Sequence, residues 1–128
     1  MTPIITATYA AILAVYFVAM SAYVITMRAK TDTLLGPGDN IQMLVAMRRH
    51  GNLAEYMPFA ILVMALAEAL GLSATWLHVA GIALVAGRLI HPFGITAQSP
   101  LAPRVIGVLA TFAAILIPAG GIFLTTLA

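Results

Sequence analysis

The chain contains no cysteine and very little charge: among its 128 residues there are four acidic and six basic side chains. Without cysteine it can form no disulfide, no thiolate metal site and no redox dithiol, so any sulfur chemistry must arrive with a ligand. Charged residues make up 8% of the chain, against roughly a quarter in an ordinary soluble domain, and apolar residues make up 62%. A soluble fold could not cover its surface with so few charges. A net charge of +2, embedded in apolar sequence, also gives no footing for a nucleic-acid partner.

What remains is long apolar sequence. Pro3 to Met27 and Val105 to Ala128 carry no charge, and each exceeds the roughly 20 residues that a spanning helix needs. Glu55, Glu68 and Arg88 interrupt the middle, yet Tyr56–Ala67 and Ala69–Gly87 are otherwise uncharged, which predicts two further spans. The first apolar segment lacks a basic leading region and exceeds the 7–15-residue core of a signal peptide, so it is expected to remain as the first helix. The expected fold is all-α: a single domain over residues 1–128, an integral membrane four-helix bundle with the surrounding lipid as a partner.

Local signals set expected boundaries of 3–30, 39–70, 73–97 and 104–127. Pro3 suits a first helical turn. The segment from Thr31 through Gly36-Pro37-Gly38 breaks the first helix, and Asp39 with Gln42 reads as a capping box for the second. The second helix would be about 46 Å long at 1.5 Å per residue, so its first turns must stand beyond a hydrocarbon core of roughly 30 Å. Gly71 closes it, Ser73 is placed to cap the third, and Gln98 to Pro103 forms the last loop. Pro118 and Gly120-Gly121 predict a bend late in the fourth helix.

The basic residues are one-sided. Arg28, Lys30, Arg48, Arg49 and Arg104 fall at the first and third connections, and Arg88 lies nearer that end of its helix. The positive-inside rule puts those connections in the cytoplasm and both termini outside. On the second helix Arg48, Asn52, Glu55 and Tyr56 follow helical spacing, which predicts one inward polar stripe. Glu55 stands roughly 22 Å from the far end of that helix, inside the bilayer. A carboxylate there costs at least about 2.5 kcal/mol unless it faces a cavity or partner. An Arg48–Glu55 pair would be the plain structural account. Arg88 and His91 on the third helix, with Arg104 opening the fourth, add a surplus of positive charge that a bound anion would neutralise.

Pro92 and Pro58 free backbone carbonyls beside these stripes. Arg49 and His50 point to other faces of their helix, toward lipid headgroups or a neighbouring subunit. Glu68 and His78 read as solvated or interfacial groups at the opposite surface, and Tyr9, Tyr16, Phe17 and Tyr23 as packing residues. His50, His78 and His91 stand far apart without a carboxylate pair, so no metal site is expected. No phosphate loop or Ser-His-Asp arrangement is present either.

The run Arg48-Arg49-His50-Gly51-Asn52-Leu53-Ala54-Glu55-Tyr56-Met57-Pro58 resembles the signature of the MAPEG family, membrane-associated proteins in eicosanoid and glutathione metabolism. Gly87-Arg88-Leu89-Ile90-His91 and Ala102-Pro103-Arg104 resemble its motifs on the third and fourth helices, and the likeness is to the small bacterial branch. The resemblance implies a homotrimer in a bacterial inner membrane, with glutathione held between adjacent subunits near the cytoplasmic side. It makes Arg48, Asn52, Glu55, Tyr56, Arg88 and His91 ligand-contacting positions, with Arg28 reaching a neighbour's ligand.

Glutathione, as cosubstrate, has two carboxylates for arginines and an ammonium for Glu55. Arg104 is the cation expected to stabilise its thiolate. The implied activity is a transferase or peroxidase acting on small lipophilic electrophiles; the alternative is a non-catalytic thiol-binding or structural membrane protein. Two departures matter. Ile95 stands where several family enzymes carry a tyrosine, and Ala29 where leukotriene-forming members carry a second arginine, so eicosanoid synthesis is not implied. A multidrug-type transporter would need an acid in the first span, which has none.

Overall fold

In a computed structural model that describes residues 2–98 and 101–127, the chain folds as four helices: α1 (Ile4–Thr31), α2 (Ile41–Ala69), α3 (Ala74–Ile90) and α4 (Leu101–Thr126). A 3₁₀ turn, His91–Gly94, extends α3. All four helices are long and apolar enough to cross a membrane when that turn is counted with α3.

The bundle has the polarity of a membrane protein. Val15, Ile82 and Leu116 are well over half exposed on its outer surface, while Arg88, His91, Glu68 and Thr111 are buried inside. In water this arrangement would be costly. In hydrocarbon, apolar side chains meet lipid freely and polar ones must find partners within the protein.

The centre is formed by Leu13, Ala60, Met64, Ala80, Leu84 and Ala114, so every helix contributes to one core. The closest packing is between α3 and α4, where small residues let the backbones approach. A Cβ on Gly107 would stand 2.6 Å from the Cβ of His91 and 2.9 Å from the carbonyl of Gly87, so no larger residue fits without a shift. The same holds at the 3₁₀ turn, where a Cβ on Gly94 would run into the backbone of Arg104.

The helix ends correct several expectations. Asn40, not Asp39, caps α2: its side chain accepts from the amides of Gln42 and Met43, and no Asp39–Gln42 capping box forms. Asn40 holds the extended conformation an N-cap needs. Gly71, at φ +92°, closes α2 as expected, while Ser73 occupies the cap position of α3 without a side-chain cap bond. Regular α-helix stops at Ile90 rather than near 97, because Pro92 removes an amide and tightens the chain into the 3₁₀ turn. In turn α4 starts at Leu101, with Pro103 accommodated in its first turn. The predicted loop from Gln98 to Pro103 includes residues 99 and 100, which lie outside the described residues.

Candidate functional site

Arg88 sits at the heart of the polar region. Its guanidinium is buried between helices, donating through Nη1 to Oδ1 of Asn52 at 2.6 Å and through Nη2 to the carbonyl of Gly107 at 3.2 Å. The Tyr56 ring lies beneath it, with the guanidinium carbon 5.7 Å from the ring centroid, a distance at which a cation gains from the aromatic face. Nε of Arg88 is buried with no hydrogen-bond partner. Asn52, Tyr56 and Arg88 thus meet as the sequence spacing implies, with α4 supplying the second acceptor. None of Arg88's hydrogen-bond partners is a carboxylate.

The α2 stripe is split between two environments. Asn52 and Tyr56 turn inward, whereas Arg48 and Glu55 are exposed on the outer surface of the single chain. The reason is angular. At 100° per residue, Arg48 and Glu55 fall within about 20° of each other, and Asn52 and Tyr56 lie further round toward α3 and α4. One uniformly inward face is therefore not what forms; the stripe straddles the edge of the buried face.

His91 is buried at the start of the 3₁₀ turn, with its backbone and Cβ against Gly107. One turn earlier on α4, Arg104 presents an exposed side chain, and its backbone is wedged against Gly94. The short turn after α3 therefore fixes both His91 and the start of α4 beside Arg88. Arg28 lies elsewhere: its Nη1 donates to the carbonyls of Thr33, Leu34 and Gly36, stapling the first connection to the end of α1.

Several residues read as bystanders have defined roles. The carbonyl of Arg88, which Pro92 cannot bond, accepts instead from the hydroxyl of Tyr16 at 3.3 Å, so the freed acceptor is taken by α1. His50 does not face lipid; its Nε2 is 2.9 Å from Oγ of Ser21, and its ring packs on Phe17. Arg49 likewise turns into the protein, donating through Nε to the carbonyl of Ile95 and through Nη1 to Tyr23.

Glu68 is the clearest correction. It is 5% exposed, and its two carboxylate oxygens accept from the backbone amides of Ile5 and Thr6, each at 2.8 Å. It acts as a helix cap supplied by another helix, placed at the positive end of α1. An acid near the end of α2, without a basic partner but on the same membrane side as the start of α1, was the available signal. Beside it, Nδ1 of His78 is 2.9 Å from the Tyr9 hydroxyl. Among the described residues, no cluster of His, Asp or Glu could hold a metal ion.

Four spanning helices, apolar outside and arginine-centred within, define an integral membrane protein with a buried polar site at one end of its bundle. A model of the MAPEG family matches residues 6–124, and the chain belongs to that family. It is similar to inner membrane protein YecN of Escherichia coli K12, 36% identical over 90 residues that cover 70% of this chain and 69% of YecN. YecN of the Escherichia coli O6:H1 strain matches to the same extent. No solved structure matches the chain.

Proposed function

We propose that the chain binds glutathione, or a closely related anionic thiol, and uses it as cosubstrate in a transferase or peroxidase reaction on lipophilic electrophiles. The observation that carries this reading is Arg88. A guanidinium buried in an apolar bundle, bonded only to neutral oxygens and with Nε unpartnered, is a charge without a counter-ion among the described residues. Burying a charge in that condition is expensive, and an anion docked beside it offsets the cost.

The surrounding groups suit the rest of such a ligand. Arg48 and Glu55, exposed on α2, provide one cation and one acid, matched to a ligand carboxylate and its ammonium. Arg104, exposed at the start of α4, is the cation that stabilises a thiolate by lowering the thiol pKa. In the transferase reaction the thiolate sulfur forms a bond to the electrophilic carbon as the leaving group departs with its electron pair. In the peroxidase reaction two thiols become one disulfide as a hydroperoxide is reduced to an alcohol and water. Both need a thiolate at the level where a membrane-dissolved substrate can approach it.

The exposure of Arg48, Glu55 and Arg104 on one chain supports a homotrimer in which a neighbouring subunit closes the site. Arg28 belongs to this proposal through its position at the end of α1, although its Nη1 already holds the adjoining loop. The name of YecN supports placement in a bacterial inner membrane, and the one-sided arginines support a cytoplasmic site with both termini outside.

A second reading, thiol binding without turnover, is favoured by Ile95. It offers no hydroxyl to the site, and its carbonyl is committed to Arg49. The two readings separate in one experiment. The purified protein is titrated with glutathione near neutral pH while thiolate absorbance and turnover of an electrophile panel are followed, in wild type and Arg104→Ala. Catalysis predicts thiolate absorbance and turnover that both disappear in the variant. Binding with neither signal selects the second reading, and no binding at all removes both.

A further inference from the structure

A second polar feature of α2, centred on Arg49 and nearer the first connection, has no part in the proposed thiol site. Arg49 sits where two crevices meet. One, of about 320 Å³, runs between α1 and α3 and is walled by Tyr16, Met20, Leu89 and Phe93. The other, of about 300 Å³, lies toward the helix connections past Met27, Gln42 and Thr96. Both are lined by Arg49 and Tyr23, so they adjoin at this hydrogen-bonded pair as two halves of a groove. From Met27 to Tyr16 it follows α1 for roughly 16 Å.

The groove is amphipathic along its length. Its part between α1 and α3 is mostly apolar, with Met20, Leu89, Pro92 and Phe93 as walls. Its outer part gathers the Arg49 guanidinium, the Tyr23 hydroxyl, the Gln42 amide and Thr96, and no acidic residue lines either part. Arg49 spends Nε on Ile95 and Nη1 on Tyr23, and Nη2 takes part in neither bond. The Tyr23 hydroxyl accepts from Arg49 and keeps its own proton to donate. A cation and a hydroxyl beside an apolar slot call for a ligand with an anionic head and a hydrocarbon tail.

We infer that this groove binds an anionic phospholipid of the surrounding leaflet. The phosphate lies against Arg49 and the Tyr23 hydroxyl, and one acyl chain runs along Met20 and Leu89 toward Tyr16. Arginine suits a phosphate because its planar fork offers paired donors, and basic pockets between spanning helices near the membrane surface are a known setting for anionic headgroups. The lipid would complete the α1–α3 seam.

Native mass spectrometry of the detergent-purified protein tests this. The protein is equilibrated with phosphatidylglycerol or with phosphatidylcholine of the same chains, and lipid-bound species are counted for wild type, Arg49→Gln, Met20→Trp and Lys30→Gln. The expected result is preferential retention of phosphatidylglycerol by wild type. Retention falls about fivefold in Arg49→Gln, the factor one basic side chain contributes to anionic-lipid attraction. It also falls in Met20→Trp, where the indole fills the slot while every polar group at the mouth remains, and is unchanged in Lys30→Gln, which alters net charge alone. Equal retention of the two lipids, or an equal loss in Lys30→Gln, overturns the headgroup assignment. Undiminished phosphatidylglycerol binding in both Arg49→Gln and Met20→Trp overturns the groove as the site. If Arg49→Gln fails to fold, Met20→Trp and Lys30→Gln still decide.

Discussion

At the residue scale the protein is organised around a cation that neutral oxygens position. Asn52 provides the shortest bond to Arg88, and truncating it leaves a buried guanidinium donor without its side-chain acceptor. Asn52→Ala is expected to destabilise the protein by about 1–3 kcal/mol, the usual penalty for a buried group left unpaired. Thermal unfolding in detergent measures this, and an unchanged midpoint would show that Asn52 is not what holds Arg88. The meeting of Asn52, Tyr56 and Arg88 was legible in the sequence, because helical spacing and the position of Arg88 within its span define it. The roles of Tyr16 and the Gly107 carbonyl were not. A backbone acceptor on another helix leaves no mark in residue type, and a tyrosine on an apolar helix reads as packing until the carbonyl it serves is located. Arg49 and His50 were misplaced for a related reason: spacing gives their angle on α2 but not which neighbour occupies that direction.

At the element scale the short 3₁₀ turn after α3 and the tight α3–α4 crossing act together. Gly107 has no room for a side chain, because His91 and the Gly87 carbonyl already occupy the space. Gly107→Ala must separate the helices by some fraction of an ångström or distort His91, at a cost of about 1–3 kcal/mol typical of overpacking. If the proposed thiol site is right, it should also weaken glutathione binding, since the carbonyl that anchors Arg88 moves with the backbone. Parallel measurement of unfolding and of glutathione affinity checks both; unaltered stability would mean that the crossing is looser than its geometry indicates. The four spans could be read from apolar length alone, and the end of α2 from Gly71. The boundary of α3 could not be read, because a proline after a long apolar run permits either a kinked continuation or a 3₁₀ turn, and packing against Gly107 and Arg104 selects the turn.

At the scale of the whole molecule, the absence of cysteine makes membrane orientation directly measurable. Single substitutions Thr33→Cys in the first connection and Ser73→Cys in the second should label from opposite sides of the membrane, with Thr33→Cys reached from the cytoplasm. Labelling of both from one side would contradict the four-span topology, and reversed sides would contradict the cytoplasmic placement of the site. The way the bundle is closed at its other end bears on biosynthesis. The amides of Ile5 and Thr6 have their acceptor in Glu68, more than sixty residues later in the chain. As the polypeptide emerges from the ribosome, the start of α1 has no protein partner for these amides until nearly all of α2 has been made. The first span is thus committed early in its sequence, but its leading end is fastened only by a residue at the far end of the second helix.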